Sequence, residues 1–412
     1  MFYLERLKQE FSNCACGREH ACAIKDIRIG SKLTHRVGEI LKANGFPEKI
    51  LLVADKKTLK AAQGIFEGLG GFQITLRVYD DFRIPTLEEA ERIAAGLEGG
   101  GVLVVGTGSL SDVCRYAANR KNLPLCIFAT APSMDGFAAS IAPLIESGFK
   151  RSYPAKAPDI IIADAGVLAA SPSELKAAGF GDMVGKYVAL IDWEASQFLT
   201  GEYFCGKVAA LARRAADEVF RLSGVLQRDG NAAGRLFEAL LLTGIAMGFA
   251  GNSRPASGAE HMLAHFWECW EIASGKIPNF HGAYVGVATL IVSEFYQKLS
   301  KADPEQFLKQ ETNMEEIFAL SGALAGEMRK INQESKRFES DVVKEKWTEI
   351  RKIILVQPSP EEIKLALLDA GAPTTPAEVG VNEDLMNRSW LAHPFFRNRF
   401  TLTRLFSHYR IK

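Results

Sequence analysis

Residues 30–170 alternate bare apolar runs of strand length with amphipathic segments of helix length. Strands are read at 50–54, a bare apolar run, and at 74–79, 102–105, 125–129 and 159–163, with helical spacing at 32–44, 55–65, 86–97 and 110–119. A strand that is apolar at nearly every position is buried on both faces, which requires a parallel sheet covered by helices on either side. After about residue 168 the pattern changes. Segments 173–177, 181–199, 207–226, 234–250, 260–272 and 285–299 read as helix, and no strand run stands out. Residues 300–385 read as charged and helical. A chain of 412 residues is too long for one ordinary core. The pattern therefore predicts an α/β domain over 1–170 and an all-helical domain over 171–412.

Charge excludes one class of partner. Lys+Arg and Asp+Glu balance at 49 each, so the basic excess of a nucleic-acid binder is missing. The start, Met1-Phe-Tyr-Leu-Glu-Arg-Leu-Lys8, is amphipathic and lacks the apolar core of a signal peptide; no membrane span is expected. Seven cysteines, an odd number and mostly scattered, read as reduced thiols and a cytoplasmic location. Cys14-Ala-Cys16-Gly-Arg-Glu-His20-Ala-Cys22 groups four candidate ligands in nine residues. Cys-x-Cys is tighter than the usual structural zinc spacing, so a metal site stands beside a hairpin-like segment with partly buried thiols.

Three strand ends carry candidate ligand chemistry. Gly106-Thr-Gly108-Ser109-Leu-Ser-Asp112 runs off a buried strand into a helix, offering backbone N–H groups to a pyrophosphate, although the third glycine of the full dinucleotide fingerprint is missing. Asp55 closes the 50–54 run, where it can accept from an adenosine ribose or cap the following helix; Lys56 and Lys57 blur any preference for NAD over NADP. Thr130-Ala-Pro-Ser133-Met-Asp135-Gly136 gathers hydroxyls and a carboxylate at a third strand end.

In the helical half, three of the chain's seven histidines fall in a short span. His261 and His265 are four apart at a helix start and share one face, and His281 follows. The cluster reads as half of a metal site. Arg254, in the preceding Ser253-Arg-Pro-Ala-Ser-Gly258 loop, could pair with a phosphate, with Lys186 and the 257–258 backbone as further candidates.

Taken in order, Gly106–Asp112, Thr130–Gly136, Gly179-Phe-Gly-Asp182-Met-Val-Gly-Lys, Ser253–His261, His281-Gly and the C-terminal Arg397-Asn-Arg-Phe-Thr resemble the sn-glycerol-1-phosphate dehydrogenases, nearest the bacterial members. These belong to the iron-containing alcohol dehydrogenase and dehydroquinate synthase superfamily. The resemblance implies a dinucleotide domain, a helical domain and a metal in the cleft between them. It implies Asp182, His261 and His281 as metal ligands, with zinc usual and nickel found in some bacterial members. It implies His265 and Asp135 at the substrate, together with Asp182 as a ligand shared by both. Gly106, Gly108, Ser109, Thr130 and Ser133, with Asp112 in the same run, would hold NAD or NADP. The implied reaction interconverts dihydroxyacetone phosphate and sn-glycerol 1-phosphate, with His265 relaying a proton, in a homo-oligomer. Two departures stand out: Gly282-Ala283-Tyr284 replaces the family's Gly-Glu-Lys after His281, and Ala139 replaces a cofactor-contacting serine, with Ser140 beside it. A polyol dehydrogenase on the same scaffold, or a dehydroquinate-synthase-like lyase, are the competing expectations.

Overall fold

The computed structural model describes residues 4–333 and 340–411. Residues 1–3 of the N-terminal reading and 334–339 of the expected helical stretch lie outside the described residues. The chain forms two compact units, one of Met1–Gly179 with Gly224–Asn252, the other of Phe180–Ser223 with Ser253–Lys412.

The first unit is built on six parallel strands, β1 (Asp26–Gly30), β2 (Lys49–Asp55), β3 (Gln73–Tyr79), β4 (Gly101–Gly106), β5 (Leu125–Ala129) and β8 (Ile160–Asp164), in the order β1-β8-β5-β4-β2-β3. A separate antiparallel hairpin, β6 (Ile141–Glu146) with β7 (Phe149–Pro154), precedes β8. The helices of this unit are α1 (Leu4–Phe11), α2 (Val37–Ala43), α3 (Lys56–Ala61), α4 (Ile65–Gly68), α5 (Leu87–Ala95), α6 (Gly108–Arg120) and α7 (Ala165–Ala169). Every residue of β4, β5 and β8 is buried. Each Val, Leu or Ile there contributes about 1.5–3 kcal/mol through removal from water, which is why those runs are apolar throughout.

Chain order places the ligand crevice. From β2 the chain adds β3 on one side, then returns to place β4 on the other and continues outward through β5 and β8. The carboxyl ends of β2 and β4 thus flank the point where the winding reverses, the usual ligand position in open α/β sheets.

The second unit is largely helical. It holds most of α8 (Ser173–Thr200), then α9 (Gly206–Phe220), α11 (Ala259–Ala273) and α12 (His281–Ser300), followed by shorter helices and a small strand pair, Phe307–Lys309 with Tyr409–Ile411. The helix missing from that series, α10 (Ala232–Ala250), belongs to the first unit, where it packs on α7 and on the turn Asp135–Ala138. The expected single boundary near 170 therefore differs from the observed division. Gly244 explains the attachment, since its missing side chain lets the Asp135 carbonyl oxygen come within 2.7 Å of where a Cβ would stand. Among the described residues α10 is the one helix long and apolar enough to cross a membrane, and most of it is buried inside the protein.

Two other expectations are corrected. Residues 173–177 and 181–199 join into the single helix α8, because Gly179 and Gly181 are not breaks but points of close approach. A Cβ on Gly179 would collide with the Pro132 carbonyl, and one on Gly181 with the Gly282 carbonyl. The N-terminal segment is not a hairpin: α1 is followed by irregular chain and then by the edge strand β1.

Candidate active site and metal centre

At the sheet's carboxyl edge the expected cofactor residues come together. Register pairs Gly106 with Ala129 and Ala54 with Val105, so the loops leaving β2, β4 and β5 emerge side by side. The Thr130 N–H donates to the Gly106 carbonyl at 3.1 Å, tying two of those loops. Gly108 opens α6, so the first N–H groups of that helix face outward from the strand end. Both glycines lie close against side chains, a Cβ at Gly108 falling 2.5 Å from the flexible end of Met134 and one at Gly106 2.6 Å from Leu110 Cδ1. Ser109 sits in the first turn of α6 and donates to the Arg83 carbonyl at 2.9 Å. Thr130, Ser133 and Asp135 are all buried at the second wall.

Two carboxylates have internal work. Asp55 caps α3, accepting the Thr58 N–H at 2.8 Å in a reciprocal capping box, so the capping half of its reading is realised. Lys56 and Lys57 pair with Asp80 at 2.6 Å and Asp81 at 3.1 Å on the exposed rim. Asp112 is turned inward. It accepts from the wholly buried Arg115 at 2.7 Å, and Arg115 in turn donates to the carbonyls of Gly136, Phe137 and Ile141. Its role is to fix the second wall through Arg115. Burial pushes the Asp112 carboxyl up to about 7, against the pull of Arg115. Ala139 is buried at the position where a serine was expected.

In the helical unit, glycine sets the distances. Gly181 meets Gly282 and Gly286, and Gly185 meets Val285, so α8 and α12 touch backbone to backbone. That contact brings Asp182 on α8 to His281, the first residue of α12. The third element, α11, is fixed by Asp192, two turns and more along α8, which accepts the Ala259 N–H at 2.8 Å. Gly258 has to be glycine there, since a Cβ would stand 2.7 Å from Asp192 Oδ2. His261 is thereby held in the first turn of α11.

The ligand atoms of Asp182, His261 and His281 all lie within 4.8 Å of one another. One nitrogen of each imidazole is already committed to a carboxylate: His261 Nδ1 to Glu260 at 2.6 Å and His281 Nδ1 to Glu268 at 2.8 Å. This fixes Nδ1 as the donor and leaves each Nε2 as the ligand atom, that of His261 lying 3.5 Å from Asp182 Oδ1, the arrangement found behind metal-bound histidines. One oxygen and two nitrogens, with positions left for solvent or substrate, fit a divalent ion of the zinc class. Lys186, also fully buried, donates to Asp182 at 2.7 Å and to the Ala256 carbonyl at 3.3 Å. Burial would raise the Asp182 carboxyl, but Lys186 and the two imidazoles hold it far below the usual carboxylate range. Burial would lower His261, but Asp182 and Glu260 lift it to about 9; a cation in the site replaces the proton that they favour.

His265 completes a triangle of rings, 5.2 Å from His281 in a stacked pair and 5.7 Å from His261. It is half-buried and faces Phe396 at 6.2 Å. Arg254 departs from expectation. It is 3 % exposed, its fork is bound to Glu202, and it donates to the Phe400 carbonyl at 2.6 Å, so it anchors the C-terminal segment rather than facing a ligand. Tyr284, which stands where the family motif has lysine, is buried; its hydroxyl donates to Glu271 and accepts the Asn279 N–H at 3.0 Å, which pins the chain leading to His281.

The carboxylates Glu260 and Glu268 escape sequence reasoning, although each lies within three residues of a histidine of the cluster. Arg399 escapes it as well. This half-buried guanidinium donates to the Ser257 carbonyl at 2.8 Å and to Ser253 Oγ at 2.8 Å.

The family model described as iron-containing alcohol dehydrogenase matches residues 28–172. A curated protein of Geobacillus stearothermophilus named glycerol-1-phosphate dehydrogenase (NAD(P)+) is 31% identical over 411 residues, covering 97% of this chain and 96% of its own. The chain belongs to the iron-containing alcohol dehydrogenase family. It is a dehydrogenase of that family. A similarly named protein of Methanosarcina barkeri is 32% identical over 65% of this chain and 75% of its own. Among solved structures, an alcohol dehydrogenase from an archaeal halo-thermophilic source in a Red Sea brine pool has a TM-score of 0.63 at 16% identity, covering 92% of this chain and 93% of its own. A probable glycerol dehydrogenase from Sinorhizobium meliloti 1021 has a TM-score of 0.61 at 17% identity, covering 91% and 90%. At those identities the likeness is one of fold.

Proposed function

We propose that this dehydrogenase uses NAD or NADP to reduce the ketone of dihydroxyacetone phosphate to sn-glycerol 1-phosphate, reversibly. The observation that carries the reading is the carboxylate-backed cluster of Asp182, His261 and His281, in a chain aligned almost end to end with a glycerol-1-phosphate dehydrogenase. Held there, a divalent ion supplies Lewis-acid polarisation of the carbonyl oxygen. The nicotinamide supplies the hydride, and we assign its pyrophosphate to the N-terminus of α6 and the loops of Gly106 and Thr130.

The chain's own groups do the rest. His265, adjacent to both ligand histidines, holds the proton that the oxygen gains on reduction and takes it back on oxidation. Asp182 is kept ionised by Lys186. The phosphate falls to Arg399, with Arg397 beside it over the Phe396 ring at 5.0 Å. The hydrogen bonds of Arg399 go to neutral oxygens of Ser253 and Ser257 and use at most three of its five N–H donors. Burial lowers Arg399 to about 9, with Arg254 and Arg397 adding to that and Glu202 and Glu260 opposing it, so the group is a cation at neutral pH.

Steady-state assays with NADH or NADPH test the reading. Turnover of dihydroxyacetone phosphate well above that of dihydroxyacetone is expected; preference for the free triose would replace the proposal with a polyol dehydrogenase. Arg399→Ala should raise the KM for the phosphorylated substrate at least about tenfold, leaving the KM for either nucleotide unchanged.

A further inference from the structure

We propose that Cys14, Cys16 and His20 bind a second divalent metal ion, structural and of the soft, zinc-like class. Their ligand atoms lie within 4.8 Å of one another. Cys16 Sγ is 3.2 Å from His20 Nε2. The other ring nitrogen, Nδ1, meets the Phe249 carbonyl at 2.8 Å, and a carbonyl can only accept. Nδ1 therefore carries the hydrogen, and the lone pair of Nε2 points at the thiols. A backbone carbonyl behind the remote nitrogen is a usual means of orienting a metal-bound histidine.

The surroundings are built to hold that ring. His20 is 4 % exposed and sits edge-on to Phe11 at 5.7 Å and tilted on Phe249 at 5.6 Å, while Phe11 and Phe249 stack at 4.6 Å. Gly17, at φ +78°, closes a turn in which its N–H donates to the Cys14 carbonyl at 3.3 Å. That turn folds the tight Cys-x-Cys pair back toward His20 and removes the spacing objection the sequence raised. Between Phe11 and Asp26 the chain forms neither helix nor strand. A metal tie would give this irregular segment the fixed geometry that backbone ladders give elsewhere.

Cys22 is not a member of the cluster. Burial raises its thiol, partly offset by a backbone hydrogen bond at Ile24. Structural zinc is four-coordinate, so the fourth ligand comes from outside segment 14–22 or from solvent. On binding, the two thiols become thiolates and release two protons to solvent, with no change of oxidation state.

The site can be read independently of activity. Full-length protein produced in cobalt-supplemented medium should show a thiolate-to-cobalt charge-transfer band in the near ultraviolet, which an ion on Asp182, His261 and His281 cannot produce because that set has no sulfur. Elemental analysis of zinc-loaded protein should find two ions per chain. Cys16→Ser and His20→Ala should each reduce this to one and abolish the band, whereas His261→Ala should remove one ion and retain the band. Should the cysteine and histidine variants not fold, the wild-type spectrum and stoichiometry decide alone. A cobalt protein without the sulfur band, or one ion per chain in the wild type with no such band, overturns the proposal and leaves a thiol–imidazole hydrogen bond.

Discussion

The two units present their chemistry in opposite ways. At the edge of the sheet the candidate ligand groups are mostly backbone: the N–H groups opening α6, glycines that clear the approach, and loops held in register by strand pairing. In the helical unit they are particular side chains, each held by another: His261 by Glu260, His281 by Glu268, and Asp182 by Lys186. A surface made of main chain depends on the fold and little on any one residue. A cluster of ligands depends on each member and on whatever orients it.

The largest test of that contrast is His261→Ala. It should remove the metal held with Asp182 and His281 and lower kcat/KM by at least about 10³-fold, with the cofactor's dissociation constant nearly unchanged; elemental analysis and fluorescence titration with NADH check both parts. Gly181→Ala comes next, because its methyl would meet the backbone of α12, which cannot swing aside. A loss of about 1–3 kcal/mol in urea unfolding is expected, together with weaker metal binding.

Acid should act on the two units with opposite sign. His393, fully buried in the helical unit, is pushed down to about 4 by burial, partly offset by the Ser389 and Trp390 carbonyls. Its folded pKa lies below its unfolded one, so the unfolded chain takes up the proton first. This contribution is complete above about pH 6.5 and is lost as pH falls toward 4, about 2 kcal/mol by pH 5. Asp112 in the sheet unit, raised to about 7, contributes stability below about pH 4 that is lost as pH rises toward 7. Urea unfolding at pH 7 and 5 should show a smaller acid loss in His393→Gln than in the wild type. The smallest effect belongs to Gly108→Ala, whose methyl meets the flexible end of Met134. Stability should change by less than about 1 kcal/mol, with a higher KM for the nucleotide and a kcat close to wild type.

Legibility followed the same division. The strands β2, β4, β5 and β8 could be read because burial on both faces leaves no polar position to interrupt the run. The edge strand β1, Asp-Ile-Arg-Ile-Gly, keeps charged residues on its exposed positions and was invisible to that criterion. Gly179 and Gly181 look like breaks in one dimension and become contacts in three. The histidine cluster reads as half of a metal site from spacing alone, the set of Asp182, His261 and His281 only from motif resemblance, and their convergence is visible only once α8, α11 and α12 are packed. Arg254 and Arg399 show the limit most clearly. One is drawn inward by Glu202, 52 residues away in sequence, and the other is set on the loop by Ser253 and Ser257, 146 and 142 residues away. No local pattern encodes pairings of that span.

The backbone contact of Gly181 with Gly282 has one more consequence. Where two helices rest on side chains, any change of side chain shifts the spacing; where they rest on main chain, the spacing is a constant of the polypeptide. Side chains around the cluster can then change without moving Asp182 relative to His281. The geometry of the cluster is thereby insulated from changes in its surroundings.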